Sequence, residues 1–308
     1  MLAITVDTEN GRRHSRVTAE ALADLVRRIG GEDNRFLVVQ LIPDLPDVFV
    51  QVWHEAGGEY TLEYRDGSAD RHFRTLLDTA EPVIAAMTGW ARRTADWNAG
   101  MHWERLDFEP PADIPPLDLG ADDRTLLETR IREVIAGGYA TRAQLAELAE
   151  DYLVSGDVRP VSPEQARQLA DRLWLERVAE QADWDDEEEE SDPERITRAF
   201  AALESAGLTA RENFTCCRSC GQAEIGGAGS PEARGFVYFH SQSTDAAASG
   251  HGLTLMYGGF DGSERTTASV GREVVAALEE CGLSVEWNGD PGQTITVAPL
   301  NWRKRLVG

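Results

Sequence analysis

The sequence predicts an α+β fold: an N-terminal α/β sheet unit, a Pro-rich linker, a helical middle and a C-terminal mixed β-sheet with one long helix. Three observations predict it. In residues 59–65, Tyr60, Leu62 and Tyr64 alternate with Glu59, Thr61, Glu63 and Arg65, the period of a strand with one buried face. Over 108–122, Pro110, Pro111, Pro115 and Pro116 mix with Asp and Gly, the composition of an extended linker. Beyond it, apolar residues first recur at helical spacing, then in short strand-like runs around one long helical stretch. The division that follows is 1–107 as an α/β unit, 108–122 as linker, and 123–308 as a helical segment joined to a β-rich domain.

The elements follow in order. Residues 2–6 read as a strand. Leu22, Leu25, Val26 and Ile29 repeat at helical spacing before Gly30-Gly31. Residues 35–42 and 47–54 read as strands separated by the turn Pro43-Asp44-Leu45-Pro46. A hairpin loop then leads to the alternating strand 59–65. Leu76, Val83, Met87 and Trp90 share one side of an expected second helix, which Pro82 would break or restart. Residues 101–107 read as a last strand. His54 and His72 near strand ends have no visible partner and are assigned no role. Trp90, Trp97 and Trp103 are read as core packing.

In the middle, Leu126, Leu127, Ile131, Val134 and Ile135 form a stripe that ends at Gly137-Gly138. Thr141 with Gln144, Ser162 with Gln165 and Ser191 with Glu194 have capping-box spacing and open three more helices. In the C-terminal part, Phe236–Phe239 reads as a central strand and residues 253–257 as another. Residues 263–281 form the long helix, with Val270, Val274, Leu278 and Cys281 on one face. Residues 283–287 and 294–297 pair as a hairpin.

At 308 residues the chain can hold two cores. Its formal charge is −24, which argues against nucleic acid or an anionic membrane as a direct partner. That charge is compatible with a basic protein partner, and equally with solubility alone. Residues 1–7 have no basic start and no long apolar run, so no secretion signal is expected, and no stretch approaches the ~20 apolar residues of a membrane span. Three crowded cysteines do not resemble a secreted disulfide framework. The expected setting is reducing and cytoplasmic. Lys304 is the only lysine among 30 basic residues.

Two segments carry chemistry. Residues 183–192 hold eight carboxylates in ten positions. Asp185, Asp186, Glu187, Glu188, Glu189 and Glu190 are the candidate partner-binding residues, because clustered charge accelerates association; the alternative is a solvated loop. The run lacks the ligand alternation and turn glycine of a calcium loop. The second segment is Cys216-Cys217-Arg218-Ser219-Cys220-Gly221. Cys217-x-x-Cys220 has the spacing of half a structural zinc site, which needs four ligands. Cys216, Cys217, Cys220 and His240 are the candidate metal ligands, with His251 as another completion and Cys281 placed in the core. A redox dithiol is the second reading, set back because residues 221–230 do not look helical. Set against both is the plainer reading, in which the cysteines only pack as small apolar side chains. On a strand, Cys216 and Cys217 would point to opposite faces. His240 with Ser241, Ser243 and Asp245 is a remote hydrolase candidate. There is no phosphate-binding glycine loop, HExxH or GxSxG pattern.

Two resemblances bear on function. Phe214-Thr215-Cys216-Cys217-Arg218-Ser219-Cys220-Gly221, Glu224-Ile225, Gly235 to His240 and Leu253 to Gly258, with Trp184 and Ala199 to Leu203, resemble an uncharacterised domain of unknown function common in actinobacteria, over about residues 121–305. The likeness brings no activity; it implies that CCxxCG and His240 belong to that family's pattern. Val48 to Trp53 followed by Glu59 to Asp66 is similar to an immunity-protein family of bacterial polymorphic toxin systems, over about residues 1–107. That similarity implies binding to a basic toxin domain. The expected function is a protein-binding, immunity-like or regulatory factor without catalysis; the alternative is a zinc-dependent enzyme or a thiol or metal sensor at the cysteine cluster.

Overall fold

The structure is a computed structural model describing residues 1–108, 113–184 and 190–307. The fold is α+β. The described residues fall into two compact units, those within 1–119, 141–179 and 306–307 in the first and those within 120–140 and 180–305 in the second. No helix among the described residues is long and apolar enough to cross a membrane.

The first unit is built on a wholly antiparallel sheet. Its strands are β1 (Ile4–Thr8), β2 (Arg13–Ser15), β3 (Phe36–Leu41), β4 (Val48–His54), β5 (Tyr60–Asp66), β6 (His72–Leu77) and β7 (Glu104–Arg105), in the order β2-β1-β3-β4-β5-β6-β7. Alternation decides which face is dry. Leu37 and Val39, Val50 and Val52, and Leu62 are fully buried, while Gln51 and Glu63 lie on the other face. Against the dry face pack α1 (Ala19–Arg28) and α2 (Ala80–Ala91), which contribute Leu22, Val26, Val83 and Met87 to one core. Each such side chain contributes about 1.5–3 kcal/mol on burial.

The expected helix through Leu76 is corrected here. Residues 72–77 form β6, which pairs along the whole of β5, from Tyr60 opposite Leu77 to Arg65 opposite His72. Leu76 faces outward at 53% exposure. The helix starts only at Ala80. Pro82 is then its third residue, where the backbone N–H has no intrahelical acceptor, so proline costs nothing there.

Helix α3 (Ala121–Gly137) belongs to the second unit, but α4 (Arg142–Asp151) and most of α5 (Pro163–Ala182) return to the first. The compact units therefore cut the chain differently from the sequence-based division. Asp44, just after β3, provides the reason. Its carboxylate accepts from Gln40 Nε2 (2.9 Å) and Arg142 Nε (2.7 Å), and its backbone oxygen accepts from Trp174 Nε1 (2.6 Å). Arg142 Nη1 also donates to Asp171 Oδ1 (2.6 Å).

The second unit has a mixed sheet of β8 (Leu208–Arg211), β9 (Gly235–Tyr238), β10 (Leu253–Gly259), β11 (Val285–Glu286) and β12 (Ile295–Val297), in the order β11-β12-β10-β9-β8. Only β8 and β9 run parallel. Helices α6 (Asp192–Ser205), α7 (Arg218–Glu224), α8 (Ser241–Ala248) and α9 (Glu264–Glu280) complete it. The main core joins Ile196, Phe200, Val237, Phe239, Leu255, Val270, Val274 and Leu278. The hairpin and the long helix expected from the sequence are present; β8, α7 and α8 were not expected. Parallel neighbours cannot be joined by a tight turn and need a crossover. Residues 212–234 are that crossover, and they contain the cysteine cluster.

Candidate metal centre

The crossover leaves β8 through a strained loop. Asn213 has φ 46° and Thr215 φ 61°, left-handed backbone that a β-branched residue rarely adopts. Several bonds impose it. Phe214 N donates to Phe239 O (2.7 Å) and Ser241 N to Thr215 O (3.1 Å). Thr244 Oγ1 donates to Asn213 Oδ1 (2.8 Å), Ser241 Oγ to Cys216 O (3.1 Å) and Thr215 Oγ1 to Cys217 O (3.2 Å). At the base of the loop, Glu212 accepts from the hydroxyl of the half-buried Tyr139 and lies 3.5 Å from Lys304 Nζ, which sits 4.2 Å from the centre of the Tyr139 ring.

Cys217 then caps α7 in an extended conformation, and its carbonyl accepts from Gly221 N (3.0 Å). Cys217 and Cys220, three positions apart, come to the same side of the helix start. Glycine is needed at 221: a Cβ there would fall 2.4 Å from the ring of the fully buried Tyr238. The Tyr238 hydroxyl donates to Arg218 O (3.1 Å) and fixes the helix to β9. This corrects the expectation of a non-helical segment after the cysteines. Packing of Gly221 on Tyr238 overrides the low helix propensity of glycine.

The loop brings Cys216 back toward α7. The sulfurs of Cys216, Cys217 and Cys220 all lie within 4.8 Å of one another, with Cys216 Sγ 3.5 Å from Cys220 Sγ. All three are free thiols; Cys216 is exposed and the other two half-buried. The Cys217 thiol is lowered to about 6. The Ser219 hydroxyl (3.2 Å) is the largest cause, followed by the Cys220 backbone N–H and the two neighbouring thiols. Cys220 is pushed up to about 11, first by Cys216 and then by Cys217. One thiolate is thus favoured and a second beside it is opposed, which is the electrostatic situation that a bound cation reverses. Around tetrahedral zinc, Zn–S bonds of about 2.3 Å place sulfurs about 3.8 Å apart, within reach of this arrangement.

The other sequence candidates fall elsewhere. His240 does not join the sulfur group. It is buried at the N-cap of α8, where Nδ1 accepts from Ser243 N (3.2 Å), and burial lowers its pKa. Cys281 is at the C-cap of α9, only half-buried, with Arg198 Nε 3.4 Å from its sulfur. No triad forms around His240: Asp245 pairs with Arg130 (3.1 Å) instead. Of the acidic run, Asp185, Asp186, Glu187, Glu188 and Glu189 lie outside the described residues, and Glu190 pairs with Arg198. Sequence reasoning missed Ser219, Tyr238 and the loop residues Asn213 and Thr215. Asn213 offered a signal, since asparagine tolerates left-handed backbone.

No curated protein and no solved structure matches the chain. A family model, by contrast, matches residues 120–306, well over half of its length, and includes the whole cysteine crossover. The chain belongs to that family, described as a domain of unknown function, DUF6891.

Proposed function

We propose that Cys216, Cys217 and Cys220 hold a zinc ion through three thiolates and that the chain acts as a metal or thiol sensor. The carrying observation is the convergence of three exposed or half-exposed sulfurs within 4.8 Å on a loop whose conformation is imposed by its neighbours. Among the described residues no fourth His, Cys, Asp or Glu atom joins them, so the fourth position would go to water or an incoming ligand. Such a site exchanges its ligand and its metal more readily than a closed one. Free thiols of this kind fit a reducing compartment such as the cytoplasm. Cobalt substitution tests the reading. Tetrahedral thiolate cobalt gives intense visible bands and thiolate charge-transfer absorption, and both should vanish in Cys217→Ser with Cys220→Ser. An octahedral spectrum with unchanged thiol reactivity would refute it.

A second reading, an immunity-like factor that binds a basic protein, is favoured by a different observation. Phe36, Trp53 and Leu76 are 38%, 42% and 53% exposed in one cross-strand row of an acidic chain. Strands β4 and β5, which carry that resemblance, provide part of the row. The reading predicts a salt-sensitive complex that Trp53→Ala weakens.

A further inference from the structure

We propose that a cavity of about 300 Å³ on the outer face of the first sheet receives one cationic side chain, arginine or lysine, from a protein partner. The inference rests on the second reading above and gives it a site.

Register builds the cavity. Phe36 on β3, Trp53 on β4 and Thr61 on β5 are directly opposed, and the next row brings Val38, Gln51 and Glu63 into line. These six residues form most of its lining. Two aromatic side chains thus line the same cavity as a carboxylate whose side chain is only 20% exposed. Aromatic faces attract cations, most strongly that of tryptophan, and a carboxylate in a partly dry site adds a charge-assisted hydrogen bond.

Glu63 has capacity left for a cation. Its Oε2 accepts from Gln51 Nε2 (2.7 Å) and is 3.2 Å from His72 Nε2. His72 is itself buried, and Arg65 Nε donates to its Nδ1 (3.1 Å), so the ring is neutral and gives Nε2–H to Glu63. Burial lowers the His72 pKa in keeping with this. Arg74, opposite Glu63 on β6, pairs with Glu104 (2.6 Å). Arg74 is attracted to the Glu63 charge, but its guanidinium donates to Glu104 and not to Glu63. This carboxylate shares the cavity with two aromatic side chains, in a chain of formal charge −24 that draws basic partners toward it.

The test uses the whole chain and two short peptides, acetyl-Gly-Arg-Gly-amide and its citrulline counterpart, which has the same shape without the charge. Binding is followed by the shift of the Trp53 indole N–H resonance and by calorimetry. The expected result is saturable binding of the arginine peptide, about tenfold or more weaker for citrulline, as loss of a charged and cation–π contact implies. Glu63→Gln should remove the arginine–citrulline difference, and Trp53→Ala should abolish calorimetric binding while circular dichroism stays unchanged. Equal affinity for the two peptides, or no saturable response to either, overturns the proposal. The peptide comparison needs no variant, so a misfolded mutant cannot rescue or sink it. A salt-sensitive complex that survives Trp53→Ala, with no peptide response, removes this pocket and leaves a partner elsewhere. Peptide binding without any complex supports the pocket and counts against the partner reading.

Discussion

At the residue scale, the cysteine cluster is set by hydrogen bonds and mutual repulsion rather than by burial. A thiol lowered to about 6 is ionised at pH 7, whereas one raised to about 11 stays protonated. In metal-free protein, iodoacetamide at pH 7 should therefore modify Cys217 before Cys220, as read by peptide mapping. The Cys217 rate should fall as pH drops through about 6, because the thiolate is then lost. Ser219→Ala should move that fall to higher pH, since the Ser219 hydroxyl is the largest cause of the shift. Equal labelling of the two cysteines at every pH would contradict the account. The spacing of Cys217 and Cys220 was legible in the sequence, but the nearness of Cys216 was not. Neighbours on a strand diverge, and only the turn at Thr215 folds Cys216 back to 3.5 Å from Cys220.

At the element scale, what could be read depended on whether an element's signal was local. Strand β5 announced itself through Tyr60, Leu62 and Tyr64, and α9 through Val270, Val274 and Leu278. Strand β8 has only four residues and gains its place by parallel pairing with β9, a contact no local window contains. Strand β6 was misread because Leu76 happens to lie at helical spacing from Val83. The structure gives that residue little to do in the core. Leu76→Ser should change stability by no more than about 0.5 kcal/mol in urea unfolding, as for other exposed positions. A loss of several kcal/mol would return Leu76 to a buried helix face. Helices α4 and α5 give the opposite case. Burial raises the Asp44 pKa and outweighs Arg142, so this carboxylate is costly when ionised without its partner. Arg142→Ala should cost about 3 kcal/mol, and adding Asp44→Asn should recover part of it. If the second change adds further loss, the ion pair is not what holds α4 to the sheet.

At the scale of the molecule, the two compact units each present one candidate site. The first presents an outer sheet face with aromatic residues and a half-buried carboxylate on an interior strand. The second uses the one parallel connection of its sheet to hold three sulfurs together. A crossover suits that role because both of its ends are fixed by the sheet, while its middle is free to take a conformation that no strand or long helix allows. The fold class was visible in composition and periodicity. The units themselves were not, because residues 141–179 follow the linker in sequence yet group with the first sheet through Asp44, Arg142 and Trp174.

The central claim is that the crossover is a metal centre. The most direct measurement is zinc content by elemental mass spectrometry on untagged protein purified without chelator, with thiols titrated in parallel. The account predicts close to one zinc per chain, with Cys216, Cys217 and Cys220 protected until chelator is added, and no zinc in Cys217→Ser with Cys220→Ser. Protein that carries no zinc, takes none up on dialysis against it and titrates all its thiols freely would contradict the claim.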